Sequence, residues 1–224
     1  MTDVLGQLFG SGVGVALSPI PVIAVILMLT TERGRTTGVA FMLGWLVGLS
    51  VATALVLLLA NDAGDPTSAA ADGAHIATLV VGLLFLALAV KQWKSRPKAG
   101  VAAELPKWMA GIDSFSTPKC FGLGAILSGV NPKNLAMAIS AGVALAESGA
   151  SGGDAVFGAA IFIAIGSVSV AGPVIGSLVA PSRMTPLLTG AKQWLSENNA
   201  TIMLVVFLVL GASKTGEGLA SLLR

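Results

Sequence analysis

Six apolar stretches, each about 20 residues long, follow one another along this chain and favour a membrane-embedded helical fold. They cover residues 4–29, 37–60, 74–90, 120–146, 155–179 and 200–219. Inside a bilayer the backbone has no water to bond with, so a segment of this kind must satisfy its own hydrogen bonds as a helix. Charged residues make up only 11% of the chain, against about 25% in soluble domains. The sequence therefore predicts an all-α integral membrane protein with six transmembrane helices.

The remaining composition argues against several classes of protein. The net charge of +2 is small and scattered, so nucleic acid is not expected as a partner. With one cysteine and one histidine, the chain has neither an intramolecular disulfide nor a Cys/His cluster for a metal. No nucleophile lies beside a base, and no P-loop occurs. We therefore predict no enzyme activity, no catalytic residues, no bound metal and no cofactor.

The basic residues predict which side of the membrane each loop faces. If the six helices alternate in direction, ten lysines and arginines share one side, and only Lys214 and Arg224 fall on the other. Because cytoplasmic loops carry the excess of basic residues, we expect both termini outside, in a multi-pass protein of the inner membrane. No basic residue precedes the first span, which favours a retained helix over a cleaved signal peptide. The ten residues are Arg33, Arg35, Lys91, Lys94, Arg96, Lys98, Lys107, Lys119, Arg183 and Lys192.

A polar hexapeptide, GVNPKN at residues 129–134, interrupts the fourth apolar stretch. Proline is tolerated at the first position of a helix, and asparagine is a good N-cap, so we expect one helix to stop near Val130 and another to begin at Pro132. A charged side chain at bilayer depth costs about 2.5–3.5 kcal/mol even on lenient insertion scales. Lys133 therefore needs a reason to be there: it binds or gates a substrate, or it snorkels to an interface.

An internal repeat places this break beside a second one. The segment GVGVALS at residues 12–18 recurs 110 residues later as GLGAILS, and each copy runs into a proline-bearing break. A looser echo links residues 83–88 to residues 205–210. Three spans per half is an odd number, so the copies enter the membrane from opposite sides, as in the inverted repeats of secondary transporters. We predict a first three-helix repeat at residues 1–95, a cytoplasmic linker with an interfacial helix at 96–119, and a second three-helix repeat at 120–224.

Inverted repeats with broken first and fourth spans would turn two half-helix N-termini toward the membrane centre. Ser18 is predicted to cap one of them and Asn131 the other. The positive ends of both helices favour an anion at that point, and Lys133 adds its charge to them. Two alternatives stay open: the prolines of the first break simply kink a span, and Asn131 and Asn134 act only as caps.

Three further features are expected at the membrane surface. Residues 106–115 and 187–198 carry Trp108 and Trp194 and are predicted to lie as interfacial helices on the cytoplasmic side. Lys214, near the outer end of the last span, is expected to reach for lipid headgroups, with a role as a gate charge as the alternative.

Several motifs resemble a known family. They are LPKWM at residues 105–109, Asp113, FGLG at 121–124 and GVNPKNL at 129–135, together with SPIPV at 18–22. They resemble the GAP-like proteins, small actinobacterial membrane proteins named for addressing sulfolipid and glycopeptidolipid, and the resemblance covers essentially the whole chain. That family is similar in turn to the LysE superfamily of amino-acid exporters, which shares an Asn-Pro-Lys motif and an N-terminal proline-rich motif. The first break here is Ser-Pro-Ile-Pro rather than of the Pro-Gly-Pro type.

The resemblance implies a six-span exporter of a cell-envelope lipid or glycolipid that works beside larger lipid-transport machinery. The expected partners are membrane lipids, an anionic lipid or small-molecule substrate, a larger lipid-export complex and a second copy of the chain as a homodimer. Carried over to this sequence, the implied substrate-binding residues are Ser18, Pro19, Pro21, Asn131, Pro132, Lys133 and Asn134.

Three hypotheses about function follow. The first is alternating-access export of an anionic lipid or glycolipid bound at the half-helix N-termini and Lys133, which predicts a lateral opening toward the bilayer. The second is export of an amino acid or small metabolite, as in the LysE superfamily, which predicts a closed aqueous cavity. The third is a non-transporting accessory subunit of a lipid-export complex that acts through its cytoplasmic loop.

Overall fold

The computed structural model describes residues 2–62, 69–94 and 106–223, and within these ranges every regular element is a helix. The prediction of an all-α fold is therefore confirmed for the described residues, whereas residues 96–105 of the predicted linker lie outside them. In chain order the helices are α1 (Thr2–Ala16), α2 (Pro19–Leu29), α3 (Gly34–Asp62), α4 (Ala69–Lys94), a 3-10 helix (Lys107–Ser114), α5 (Thr117–Gly129), α6 (Pro132–Glu147), α7 (Gly153–Val179) and α8 (Pro181–Leu222).

Several of these helices are long and apolar enough to cross a membrane. In the described part of the chain, three do so on their own: Gly34–Leu58, Gly153–Val179 and Pro181–Leu222. A fourth span results if Val4–Ala16 and Pro19–Leu29, which are bent by 55° at their break, are counted together. The chain is therefore a membrane protein. The other two predicted spans correspond to α4 and to the pair of α5 and α6, which do not meet this criterion of length and composition within the described residues.

The last helix is much longer than the apolar stretch that predicted it. We expected a span at residues 200–219 and a separate interfacial helix at 187–198, but α8 runs unbroken through both as Pro181–Leu222. The expectation of a separate helix was wrong, because hydropathy follows the apolar half of α8 and gives no sign that its polar half is also helical. At 1.5 Å per residue its 42 residues extend about 63 Å, roughly twice the hydrocarbon core.

The segment at residues 106–115, expected to be an interfacial helix on the membrane surface, packs against the protein instead. Residues 107–114 form a 3-10 helix that packs against α2, with Met109 and Ile112 buried. Trp108 packs against the protein core as well. This segment is therefore docked on the helical bundle, because its apolar side chains find partners on the protein rather than only in lipid.

Close backbone contacts hold the helices together. Glycines let α3 approach α5: a Cβ added at Gly44 would collide with the carbonyl of Phe121, and one added at Gly124 would collide with the carbonyl of Phe41. Gly82 of α4 meets the backbone of α8 in the same way. Lipid tails are as apolar as leucine, so helices in a membrane associate largely through tight packing of small residues. The positions of these glycines thus allow α3 to pack closely on α5, and α4 on α8.

The packed pairs of helices form a pattern. The helix α3 packs against α5 as α7 does against α1, and α3 packs against α6 as α7 does against α2. Likewise α2 packs against α8 as α6 does against α4, and α4 packs along α8. Matching α1–α4 in order with α5–α8 therefore exchanges most packed pairs with one another. Two clear exceptions are the contacts of α1 with α6 and of α7 with α8, which have no counterparts of similar extent, and α6 meets α4 less extensively than α2 meets α8.

Candidate substrate site at the two helix breaks

The first break separates α1 from α2 at residues 17 and 18. Ser18 has an extended backbone and occupies the N-cap position of α2, and Pro19 follows at the first helical position. Its hydroxyl, however, donates a 2.8 Å hydrogen bond back to the carbonyl of Val15 and makes no cap bond to α2. The prediction that the Ser18 side chain caps α2 was therefore wrong. A hydroxyl also donates, and at this break carbonyls of α1 lie within its reach.

The second break lies where the sequence predicts it. Helix α5 ends at Gly129, and α6 begins at Pro132. The Asn131 side-chain oxygen accepts a 3.0 Å hydrogen bond from the backbone N–H of Lys133, so its predicted role as N-cap is confirmed. The repeat and the break are not in register, however. Pro19 directly follows the first GxGxxLS segment, whereas Pro132 comes four residues after the second, which adds about one turn to α5.

Lys133 connects the two breaks. Its side chain is buried, with only 4% of the residue exposed, and its ammonium donates to the backbone carbonyls of Gly14, Val15 and Leu17. These carbonyls close the C-terminal end of α1, where unpaired oxygens carry the negative end of the helix dipole. An ammonium group has three donors, and three carbonyls accept from it here. Lys133 therefore does not snorkel to an interface: it caps α1.

Asn134 performs the matching task for α5. It is 1% exposed, and its Nδ2 donates 3.2 Å hydrogen bonds to the carbonyls of Leu127 and Ser128 in the last turn of that helix. Its Oδ1 is buried and has no hydrogen-bond partner. Two consecutive side chains in the first turn of α6 thus cap the ends of two different helices. This explains in structural terms why lysine and asparagine follow the proline.

A cavity of about 160 Å³ lies where the breaks meet. Six of the seven predicted substrate-binding residues line it, and the seventh, Asn134, lies behind it in the packed interior. Sequence reasoning did not single out Leu88, Met203 and Phe207, although Leu88 and Phe207 fall in the looser echo of the repeat. The lining residues are Ser18, Pro19, Ile20, Pro21, Leu88, Asn131, Pro132, Lys133, Met203 and Phe207.

The chemistry of this cavity suits a small polar or anionic group. The N-termini of α2 and α6 both border it, and each carries the positive end of a helix dipole. Pro19 and Pro21 have no N–H, so of the first three residues of α2 only Ile20 has one to offer. The cavity volume of about 160 Å³ is small compared with the roughly 300–1,000 Å³ of typical ligand pockets. The cavity therefore fits a headgroup fragment rather than a whole glycolipid. In the described residues, no group of three His, Cys, Asp or Glu side chains could hold a metal ion.

A second and larger cavity adjoins the first. It measures about 660 Å³ and lies between α1 and α8, with Met137 of α6 at its floor. Leu17, Val205 and Val209 line it and are each about half exposed, so it is a groove open toward the surrounding membrane rather than a closed chamber. We call it the α1–α8 groove. Its lining residues are Gly6, Gln7, Gly10, Ser11, Val13, Gly14, Leu17, Met137, Val205, Val206, Val209, Leu210, Ser213, Lys214 and Glu217.

Comparison with known proteins identifies the family. Residues 8–220 match the family model described as Sap, sulfolipid-1-addressing protein. The chain belongs to the Sap family. The match includes both helix breaks and nearly all of the α1–α8 groove, so the site described above lies within the part of the chain that defines the family. No curated protein and no solved structure shows significant similarity to it.

The two cap positions of this Sap-family protein differ in a way that a pair of alanine variants tests. Asn131→Ala removes a true N-cap bond, so we expect a stability loss of about 0.5–2 kcal/mol. Ser18→Ala removes only a hydroxyl that bonds back to α1, so its stability loss should not exceed about 1.5 kcal/mol. Thermal unfolding in detergent measures both, and a larger loss for Ser18→Ala would contradict the assigned hydrogen bonds.

Proposed function

We propose that this protein exports an anionic amphiphile of the cell envelope, of the sulfated-lipid class, across the inner membrane by alternating access. The family description names sulfolipid addressing, and the chain has helices apolar enough to span a membrane. In this proposal the protein carries out no covalent chemistry, and both termini lie outside.

The packing of the helices supports a six-span arrangement of two inverted repeats. Matching α1–α4 with α5–α8 exchanges most of the packed pairs, which is what two structurally similar halves would produce. Three spans per half would make the halves enter the membrane from opposite sides. The first span would be α1 with α2, and the fourth α5 with α6.

The observation that carries the proposal is the hydrogen-bond network of Lys133 at the edge of the 160 Å³ cavity between the helix breaks, which we call the central cavity. The only lysine in the two breaks is held by carbonyls of α1, while two positive helix ends border the same cavity. An anionic group entering this cavity would compete with those carbonyls for the ammonium, because a full negative charge attracts it more strongly than a carbonyl dipole. Binding would then free the end of α1. A ligand shifts a conformational equilibrium only through such a difference in affinity between states.

One observation favours a second candidate function, export of an amino acid or small metabolite. The central cavity of about 160 Å³ accommodates a small solute on its own, without the groove. The two candidates differ in what happens to an acyl chain: once its headgroup has left the cavity, an amphiphile needs an apolar path to the bilayer such as the open groove, and a small solute does not.

Transport in liposomes tests the proposal and separates the alternatives. The purified protein is reconstituted in phosphatidylcholine vesicles, with a sulfated glycolipid and a phosphatidylcholine that carry the same fluorescent acyl chain, and separately with radiolabelled lysine. We expect the sulfated lipid to cross faster than in protein-free vesicles and faster than labelled phosphatidylcholine. Transport of lysine instead would support a small-metabolite exporter. Movement of no cargo would contradict the proposal and favour an accessory subunit of a lipid-export complex.

A further inference from the structure

The contacts along the α1–α8 groove show that its two walls, α1 and α8, run in opposite directions. At its inner end Leu17 adjoins the first break, and Met203 and Phe207 of α8 line the central cavity beside Ser18. Further along, a Cβ on Gly14 would lie 3.5 Å from the side chain of Leu210. Residue numbers therefore fall along α1 while they rise along α8, and the groove ends where Gln7 and Glu217 line it.

Polar side chains are concentrated at that far end. Lys214 is 7% exposed and forms a 2.5 Å ion pair with Glu217, whose carboxylate also accepts a 3.1 Å hydrogen bond from the hydroxyl of Ser213. The sequence analysis expected Lys214 to reach for lipid headgroups. In the structure it instead pairs with a carboxylate on its own helix. In the middle of the groove, the hydroxyl of Ser11 is directed to Ser140, at 3.4 Å. Apart from that serine, the groove between Leu17 and the polar end is lined by valine, leucine, methionine and glycine.

The length of the groove corresponds to one leaflet of a bilayer. From Leu17 to Gln7 the helix rises about 15 Å at 1.5 Å per residue. Half of a hydrocarbon core of about 30 Å is also about 15 Å. The inner end lies at the broken helices, which inverted-repeat transporters hold near the midplane. In the proposed arrangement the polar end therefore reaches the depth at which headgroups begin.

We infer that the α1–α8 groove binds one acyl chain of a membrane lipid, with the chain end at the helix breaks and the headgroup beside Lys214 and Glu217. The occupant is a lipid because the groove is apolar, open to the bilayer, one leaflet long and polar only at one end. Lys214 and Glu217 neutralise each other, so the groove recognises the chain and not the charge of the headgroup. This inference rests on the proposed function for its orientation, which makes the leaflet the outer one and the groove the route of release.

Two glycines allow the groove to be filled without disturbing the fold. A Cβ added at Gly10 or Gly6 meets nothing within 4 Å, and both residues line the groove. Gly172 on α7 is also helical and exposed, and a Cβ there likewise meets nothing, but it lies outside the groove. Gly10→Leu therefore occupies the groove, Gly172→Leu is its matched control, and Gly6→Leu serves as a second variant if Gly10→Leu does not fold.

Photo-crosslinking with phosphatidylcholine that carries a diazirine in its acyl chain tests the inference. In vesicles that contain this lipid, we expect crosslinks to concentrate on residues 13–17 of α1 and 205–210 of α8. Leucine in the groove should lower them about tenfold, which corresponds to about 1.4 kcal/mol, because the added side chain fills the space that the acyl chain occupies. Gly172→Leu should leave them unchanged.

The outcome separates this inference from the proposed function. Crosslinks spread evenly over all exposed helices, or an equal effect of Gly10→Leu and Gly172→Leu, would overturn the assignment of the groove. Concentrated crosslinks in a protein that transports no lipid would leave the groove assigned and contradict the export proposal instead. An equal yield with a sulfated diazirine lipid of the same chain is expected, since the groove does not select by charge.

Discussion

Replacing Lys133 with methionine is expected to lower transport of the anionic lipid by about 10- to 100-fold, since hydrogen bonds to a charged group contribute about 1.5–3 kcal/mol and each 1.36 kcal/mol is about tenfold. Methionine has nearly the length of lysine but neither its charge nor its donors. The variant therefore removes the ammonium that the anionic headgroup would bind, and it leaves the carbonyls of Gly14, Val15 and Leu17 without that partner. Thermal stability should fall as well, because buried carbonyls lose their hydrogen bonds.

Lys119→Met provides a matched control for this experiment. Lys119 lies exposed in the first turns of α5, away from both cavities, so the same change of residue type there should alter neither transport nor stability measurably. Liposome transport and thermal unfolding are measured on both variants. If Lys133→Met protein transports the sulfated lipid as well as the wild type does, Lys133 has only a structural role and the proposed mechanism fails.

Asn134→Leu is expected to have the second largest effect, a loss of stability of about 1–3 kcal/mol, because it leaves the carbonyls of Leu127 and Ser128 at the end of α5 buried without their donor. Leucine has nearly the shape of asparagine, so packing changes little. The loss therefore reports on the two hydrogen bonds, less the gain from removing the buried, unpartnered Oδ1. Transport should also fall, since the end of α5 and the start of α6 border the same break.

The control is Asn198→Leu. Asn198 also donates a side-chain hydrogen bond to a backbone carbonyl, that of Trp194, but it does so in the exposed first half of α8. Water replaces that bond when it is lost, so we expect a change within about 0.5 kcal/mol. Equal destabilisation by the two variants, measured by thermal unfolding in detergent, would contradict the assigned role of Asn134.

The positions of the helix breaks could be predicted because they depend on local chemistry. Proline at a first helical position and asparagine before it are sufficient to end α5 and begin α6, whatever the rest of the chain does. The GxGxxLS repeat indicated in the same way that a second break exists near Ser18. Each of these signals spans only a few residues.

The partners of Lys133 could not be predicted, because they lie in a distant part of the chain. The carbonyl of Leu17 that Lys133 contacts lies 116 residues away in sequence, and only the packing of α1 against α6 brings the two together. Sequence reasoning therefore assigned the ammonium to a substrate without seeing that α1 already accepts its hydrogen bonds. The direction of the Ser18 hydroxyl was missed for a different reason: its partner, the Val15 carbonyl, is only three residues away, and a serine hydroxyl can bond back to the preceding turn as readily as it caps the next helix. The α1–α8 groove is the space between two helices that barely contact each other, and no sequence motif predicts it.

The length of α8 has a mechanical consequence. Its only internal proline, Pro186, lies near its start, so from there to Leu222 the hydrogen-bonded helix is a single stiff rod. One end of this rod lies beyond the apolar span, and its other end forms a wall of the groove. A partner that tilts the polar end of α8 would therefore also displace Lys214 and Glu217 at its other end. A force applied at one membrane surface would then widen or narrow the end of the α1–α8 groove at the opposite surface.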